Sequence, residues 1–310
     1  MKYGQEPIDP RIDIVFKRVF GSEGHAEVPK SFLNAIFRVA GIPAVRELSI
    51  QNPFRPAEFR GEKDMELDIL YLDEAGRQVQ LEMQVAYHVG LEQRMLHNWS
   101  QLYVRQLDKG GHYRDHRPVV SLWVLERPLW DDGEWLHVMR PACERNGHVL
   151  HDDFCIVVIE LGAWRRLMLA RHGDMIIDEG EEQAWLFFLA QGHALCPERL
   201  SAVLHDPVFS EAVQLMANFS ILKKWRHYYD MRRNYAYIVA SYKETGYEEG
   251  LREGRDEGRE EGREEGQLVA LRSTAHRMAA EGLPNETIAR LLGIDENKLE
   301  ALRGTNEAPL

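Results

Sequence analysis

Apolar residues recur at helical spacing over the first third of the chain. Residues 13–20 and 28–39 both show this spacing, so the sequence predicts two helices separated around residues 21–24, where Gly21 and Gly24 lie. Residues 91–107 predict another helix, which ends before the pair Gly110-Gly111. The N-terminal part of the chain is therefore predicted to contain at least three helices.

Four segments have the composition of β-strands. Residues 66–72 and 78–85 are rich in apolar and β-branched side chains, and the Asp-Glu-Ala-Gly sequence between them is a turn signal. Residues 118–125 and 154–161 form nearly continuous apolar runs. Strands that are apolar on both faces are typical of a sheet that is covered on both sides. The pattern therefore predicts an α/β fold with helices packed on a central sheet.

The pattern becomes helical again from residue 181 to about residue 242, which predicts a helical cap on the sheet. Glycine then occupies every fourth position from Gly250 to Gly266, and arginines follow the same interval. A period of four drifts slowly around a helix, so each residue type forms a stripe. Each interior glycine costs roughly 1 kcal/mol relative to alanine. Two interpretations stay open: a solvated spacer, or a dimerising helix whose glycine stripe permits close approach.

Further helical patterns lie within residues 267–303 and resemble a small helix-turn-helix. The second helix of such a motif would carry three acids against two bases, a poor balance for contact with phosphates. A packing or oligomerisation module is therefore favoured over DNA reading. We therefore expect a main domain over residues 1–245, a charged linker or dimerising helix over 246–266, and a small helical module over 267–310.

Composition limits the class of protein and its expected cellular location. A chain of 310 residues with 44% hydrophobic content can bury a large core. Its three cysteines argue against a disulfide framework and favour a reducing, cytoplasmic location. The polar residues after Met1, and the lack of an apolar run near the ~20 residues of a membrane span, lead us to expect a soluble protein.

The formal net charge of −12 opposes non-specific attraction to nucleic acid. This charge is uneven, because residues 247–266 hold nine acids and four arginines, a balance of −5. The main domain is only mildly acidic. A nucleic-acid surface on that domain stays possible, formed for example by Arg94, Trp99, Tyr103 and Arg105, although core packing explains the aromatic residues equally well.

The hairpin predicted over residues 66–85 carries the candidate chemistry. Strand alternation places Glu82 and Gln84 on one face. If the turn pairs Leu72 with Gln78, Asp68 lies directly opposite Glu82, with Cβ atoms about 5 Å apart. Two carboxylates at that separation repel each other unless a cation lies between them, and oxygen ligands of this kind suit Mg²⁺ or Mn²⁺. The alternative is a hairpin whose polar face is exposed to water.

Asp68, a turn and Glu82-Met-Gln84 resemble the core of PD-(D/E)XK nucleases, with the final lysine replaced by glutamine. The wider resemblance is to the recombination-promoting nuclease and putative transposase family, and it covers about 270 residues in order. It continues through Asp13–Lys17 with Phe20-Gly21, Phe32–Ile36, Trp99–Tyr103 with Gly110 and Tyr113, Glu160-Leu161, Ala184–Phe188, Tyr228–Asp230 and the Glu-Gly-Arg repeats.

The resemblance implies a mixed central sheet flanked by helices, with a helical C-terminal extension. It also implies metal-dependent cleavage of DNA, with Asp68 and Glu82 as the ligands of Mg²⁺ or Mn²⁺ and Gln84 as the third active-site residue. Asp13 or Lys17 would complete the site from the first helix, as acids on that helix do in some relatives; the open alternative is an N-cap acid and a surface lysine.

A second functional hypothesis belongs to another class. An uncharged amide cannot match the electrostatic help of a lysine ammonium, so Gln84 points to a weaker catalyst or to a second cation. Together with the net charge, this leaves open a catalytically weak or inactive DNA-associated protein that assembles into a homo-oligomer through its C-terminal tail and helices.

Overall fold

The structure is a computed structural model that describes residues 7–52, 69–86, 89–107, 110–174, 180–221, 229–230, 233–234, 254–255, 258–260, 262–263 and 265–304. The chain divides into two compact units, Met1–Lys243 and Glu244–Leu310. Each unit has its own buried apolar cluster.

A mixed sheet forms the centre of the first unit. Among the described residues it has six strands in the order β1-β2-β3-β4-β6-β5. These strands are Leu48–Ile50 (β1), Ile69–Asp73 (β2), Gln78–Gln84 (β3), Val119–Leu125 (β4), Leu136–Met139 (β5) and Phe154–Glu160 (β6). The β3-β4 and β4-β6 pairs are parallel and the other pairs are antiparallel. The carboxyl ends of β3, β4 and β6 therefore meet at one edge, here called the carboxyl edge.

Helices cover both faces of this sheet. Among the described residues of the first unit, the longer helices are Asp13–Phe20 (α1), Glu27–Ala40 (α2), Leu91–Val104 (α3), Leu161–His172 (α4), Glu181–Gln191 (α5), Pro197–Val203 (α6) and Pro207–Ile221 (α7). The larger core joins α1, α2, α4, α5, α6 and α7 to one face. A smaller core joins α3 to the other face, here called the α3 face. The mixed sheet flanked by helices is confirmed.

The alternation predicted for β3 is confirmed. Val79 and Leu81 are fully buried in the larger core, and Met83 packs against it. Glu82 pairs in register with Trp123 of β4, which belongs to the smaller core. Side chains in register on parallel strands point to the same face. Glu82 therefore lies on the α3 face.

The second unit contains a small helical core. Residues 265–280 (α8), Asn285–Leu292 (α9) and Glu296–Gly304 (α10) are helical, as the spacing predicts. Ala275, Ile288 and Leu299 are buried together, one from each helix. None of the helices that the structure describes is long and apolar enough to cross a membrane.

Three elements of the first unit are absent from the prediction. The strands β1 and β5 are short, with three and four residues, and none of their residues is fully buried. Such segments give too few alternating positions to show a period of two. Helix α4 follows Glu160 directly and has only weak amphipathic character. These elements extend and cover the sheet without altering its central hairpin.

Candidate active site

The hairpin has the predicted register. Leu72 pairs with Gln78, and Ile69 pairs with Leu81. Asp68 lies outside the described residues. Asp68 directly precedes Ile69 in the chain, and Glu82 directly follows Leu81. The described register ends at the pair Ile69 and Leu81, so the opposition of Asp68 and Glu82 stays a prediction.

Glu82 is largely withdrawn from water, with only 5% of its surface exposed. The alternative, a hairpin whose polar face is exposed to water, is therefore wrong at Glu82, because α3 covers this residue. Arg94 Nη2 donates a hydrogen bond to Glu82 Oε1, and Asn98 Nδ2 lies 3.5 Å from Glu82 Oε2. A buried carboxylate requires such partners, since its hydration is lost on folding.

Gln84 lies two residues further along the same face. Its Nε2 donates to the carbonyl oxygen of Ala86 at 3.1 Å, and its Oε1 accepts a hydrogen bond from Arg94 Nη1 at 3.3 Å. This pair of contacts orients the amide, with its oxygen toward Arg94. The predicted neighbours Glu82 and Gln84 are thus brought together by one guanidinium.

Arg94 lies in the first turn of α3. This helix begins directly after Gly90, which has a φ of 79°. The guanidinium carbon of Arg94 lies 5.5 Å from the centre of the Trp123 ring, a cation–π arrangement. The sequence predicts Arg94 as part of a possible DNA surface and does not predict its contact with Glu82. A signal exists in the sequence. Arg94 and Asn98 lie three residues after Leu91 and Met95, which places both polar side chains beside the buried apolar side of the helix.

A layer of buried polar side chains supports this arrangement from below. Trp123 Nε1 donates to Ser121 Oγ at 2.8 Å, and Ser121 Oγ donates to Gln80 Oε1 at 2.8 Å. Gln80 and Ser121 are almost completely buried. The layer fixes the indole on which the guanidinium of Arg94 lies.

Two further acids lie at the carboxyl edge and are engaged by the protein itself. Glu126, directly after β4, accepts hydrogen bonds from Arg11 and Arg165. Glu160, the last residue of β6, is fully buried, and its Oε1 accepts from the backbone N–H of Leu129 at 2.7 Å. Neither acid lies on β3. Glu126 holds Arg165 of α4 at this edge, and Glu160 holds the loop that contains Leu129.

The ion pair between Arg11 and Asp9 continues this network toward α1. Arg11 Nε and Nη2 bind the two carboxylate oxygens of Asp9 at 2.8 and 2.9 Å. Burial raises the pKa of Asp9, but the hydrogen bonds and charge of Arg11 outweigh this effect and leave the pKa below its ordinary value. The carboxylate therefore stays ionised and holds the segment before α1 in place.

Comparison with known proteins gives one family. Residues 10–246 match the family model described as PD-(D/E)XK nuclease family transposase. The chain belongs to this family. The match includes every described strand and helices α1 to α7, and so covers the whole hairpin. No curated protein and no solved structure matches the chain significantly.

Divalent metal ions are general cofactors of PD-(D/E)XK nucleases. Among the residues that the structure describes, no group of three or more His, Cys, Asp or Glu side chains is arranged to hold a metal ion. The carboxylate of Glu82 nevertheless provides a hard oxygen donor, the chemistry that Mg²⁺ and Mn²⁺ prefer. The residues present fit such an ion, with Asp68 outside the described part of the chain.

Helix α1 carries Asp13 and Lys17, the two residues predicted as possible additions to the site. Asp13 is its first residue, after the N-cap Ile12, and accepts a hydrogen bond from the backbone N–H of Ile14 at 2.6 Å. A Cβ added at Gly21 would lie 3.5 Å from Lys17 Cγ and 3.6 Å from Ile69 Cδ1. The end of α1 therefore packs closely on the start of β2. The participation of Asp13 or Lys17 in the site stays a prediction.

The aromatic residues of α3 serve to attach the helix to the sheet. Trp99 Nε1 donates to the carbonyl oxygen of Val119 at 2.9 Å, and Tyr103 OH donates to Asp153 Oδ2 at 3.0 Å. Burial, followed by the hydrogen bond and charge of Asp153, raises the pKa of Tyr103. Arg105 is exposed at the end of the helix. These contacts hold α3, and with it Arg94, above β3.

Proposed function

We propose that this protein is a metal-dependent DNA endonuclease that hydrolyses phosphodiester bonds in recombination or in the biology of mobile elements. The observation that carries the proposal is the buried Glu82 beside Gln84 on β3, within a chain of the PD-(D/E)XK nuclease family transposases. We infer a cytoplasmic location, because the chain is poor in cysteine and its partner is DNA.

Asp68 and Glu82 are the proposed ligands of Mg²⁺ or Mn²⁺. When bound, such an ion polarises a phosphodiester and lowers the pKa of a coordinated water. The protein places Glu82 where α3 limits access of bulk water, which strengthens its attraction for a cation. In this proposal Asp68, the residue before Ile69 in the sequence, supplies the second carboxylate.

Gln84 is the proposed third active-site residue. Its amide cannot take up a proton, so it serves to orient an attacking water by hydrogen bonding. The bond from its Nε2 to the carbonyl oxygen of Ala86 fixes the rotation of the amide and leaves Oε1 directed toward the guanidinium of Arg94. Orientation, without proton transfer, is the contribution expected from this residue.

A plasmid-nicking assay with Mg²⁺ or Mn²⁺ tests the proposal. Asp68→Ala and Glu82→Gln are each expected to reduce nicking by a factor of about 100 or more, because each removes a ligand charge from the site. Glu181→Gln is the matched control, since Glu181 forms an exposed ion pair with Arg38 on the surface. Nicking by Asp68→Ala at the wild-type rate would reject the assignment.

A second function is favoured by the contact between Arg94 and Glu82 and by the absence of the motif lysine. In this alternative the protein is catalytically weak or inactive, binds DNA and assembles as a homo-oligomer through its C-terminal helices. DNA binding without metal-dependent nicking by the wild-type chain, together with a solution mass above that of one chain, would support the alternative over the nuclease.

A further inference from the structure

The active-site strand lacks a cation of its own. The third motif position holds Gln84, whereas the lysine of the PD-(D/E)XK motif would place a positive charge beside the reacting phosphate. In the structure a cation arrives at this position from another element: Arg94 of α3 contacts Glu82 and Gln84 through its two terminal nitrogens. A positive charge therefore lies beside Gln84, although no residue of β3 itself carries one.

The environment of Arg94 allows it to change partners. Its side chain is 45% exposed, while that of Glu82 is 6% exposed. The two hydrogen bonds engage two of the five N–H donors of a guanidinium. One face of the group lies toward the Trp123 ring and keeps it near the site. Arg94 therefore has donors and solvent access that a purely structural, enclosed ion pair lacks.

A divalent ion held by Glu82 would compete with Arg94 for this carboxylate. Arg94 binds Glu82 Oε1, an atom that a metal held by Glu82 would also use. Two cations close to one another repel, so the binding of the ion weakens the hold of Arg94 on Glu82. A released guanidinium can donate two parallel N–H bonds to one group, and the two non-bridging oxygens of a singly charged phosphodiester accept them as a pair.

We propose that Arg94 is the working cation of this site, holding Glu82 until a divalent ion binds and then binding the non-bridging oxygens of the scissile phosphodiester. This inference rests on the proposed nuclease function. Arg94 transfers no proton and forms no covalent bond in this role. Its contribution is electrostatic, at the position where charge accumulates during the displacement at phosphorus.

Two measurements on the full-length chain test the proposal: calorimetric titration with Mn²⁺ and plasmid nicking at saturating Mn²⁺. Arg94→Ala is expected to bind Mn²⁺ about fivefold more tightly, because a competing ion pair is removed. The same variant is expected to nick about 100-fold more slowly, because a transition-state contact is lost. The opposite directions distinguish this role from a structural one, which would lower both values together.

Further variants sharpen the test. Arg94→Lys keeps the charge without the planar fork and should nick at a rate between those of wild type and Arg94→Ala. Added guanidinium ion should restore part of the activity of Arg94→Ala and none to Glu82→Gln. Arg38→Ala, which removes an arginine from an exposed ion pair on α2, is the matched control and should resemble wild type in both measurements.

The outcomes separate the two proposals. Normal Mn²⁺ affinity and normal nicking by Arg94→Ala would overturn the role of Arg94 and leave the nuclease proposal intact. A fall in both values, with a lower melting temperature, would assign Arg94 to structure and also overturn the inference. If the wild-type chain neither binds Mn²⁺ nor nicks DNA, the proposed function itself is wrong, and the role of Arg94 in it falls as well.

Discussion

Gln84 is the residue at which this site departs from the motif that gives the family its name. A glutamine and a lysine are similar in length, but only the lysine brings a charge. The structure shows Gln84 accepting a hydrogen bond from Arg94, so the position of the missing ammonium is already next to a guanidinium. A positive charge therefore lies beside position 84, although Arg94 of α3 carries it and residue 84 does not.

Restoring the motif lysine tests this pairing. In an Arg94→Ala background, Gln84→Lys is expected to raise nicking about tenfold, because an ammonium then stands beside the phosphate. In the wild-type background the same change places two cations near Glu82 and should weaken Mn²⁺ binding. Nicking and calorimetric titration provide the readouts.

The uncharged substitution Gln84→Met is the control in the Arg94→Ala background and should recover no activity. Equal recovery by Gln84→Met and Gln84→Lys would show that side-chain bulk, and not charge, limits this site.

At the scale of elements, β3 and α3 act as one unit. Gln80, Glu82 and Gln84 lie on the face of β3 that α3 covers. From α3, Arg94 and Asn98 contact Glu82. The strand alternation, and hence the shared face of Glu82 and Gln84, is predictable from the sequence because it depends only on local geometry. The cover by α3 is not, because it depends on a parallel crossover between β3 and β4 that no local pattern encodes.

Ser121 of β4 accepts a buried hydrogen bond from Trp123 of the same strand and donates one to Gln80 of β3. Ser121→Ala removes the acceptor of the indole N–H and a donor to Gln80 in a site closed to water. The free energy of unfolding is expected to fall by about 2 kcal/mol, the cost of leaving buried polar groups unpaired. Urea denaturation measures this change.

Ser210→Ala provides the comparison for this prediction, because Ser210 is exposed on α7 and alanine is the better helix former. Similar stability of both variants would mean that the layer of Gln80, Ser121 and Trp123 does not stabilise the sheet.

At the scale of the whole molecule, charge is divided unequally between two units. Residues 247–310 hold 15 acids and nine bases, a balance of −6 out of a total of −12. The proposed site lies in the unit Met1–Lys243, whereas the helices α8 to α10 lie in the unit Glu244–Leu310. Each unit has a core of its own, so removal of the second leaves the buried clusters around β3 complete.

Deletion of residues 247–310 is therefore expected to strengthen DNA binding. Half of the net negative charge is lost with this segment, and the remaining chain repels phosphates less. Fluorescence anisotropy with a duplex oligonucleotide should show an affinity about threefold higher at low ionic strength, a gain that disappears at high salt because surface charges are screened. Static light scattering on the same samples reports the number of chains. Weaker binding after the deletion at unchanged mass would instead assign DNA contact to α9 or α10, and a fall in mass would assign assembly to this segment.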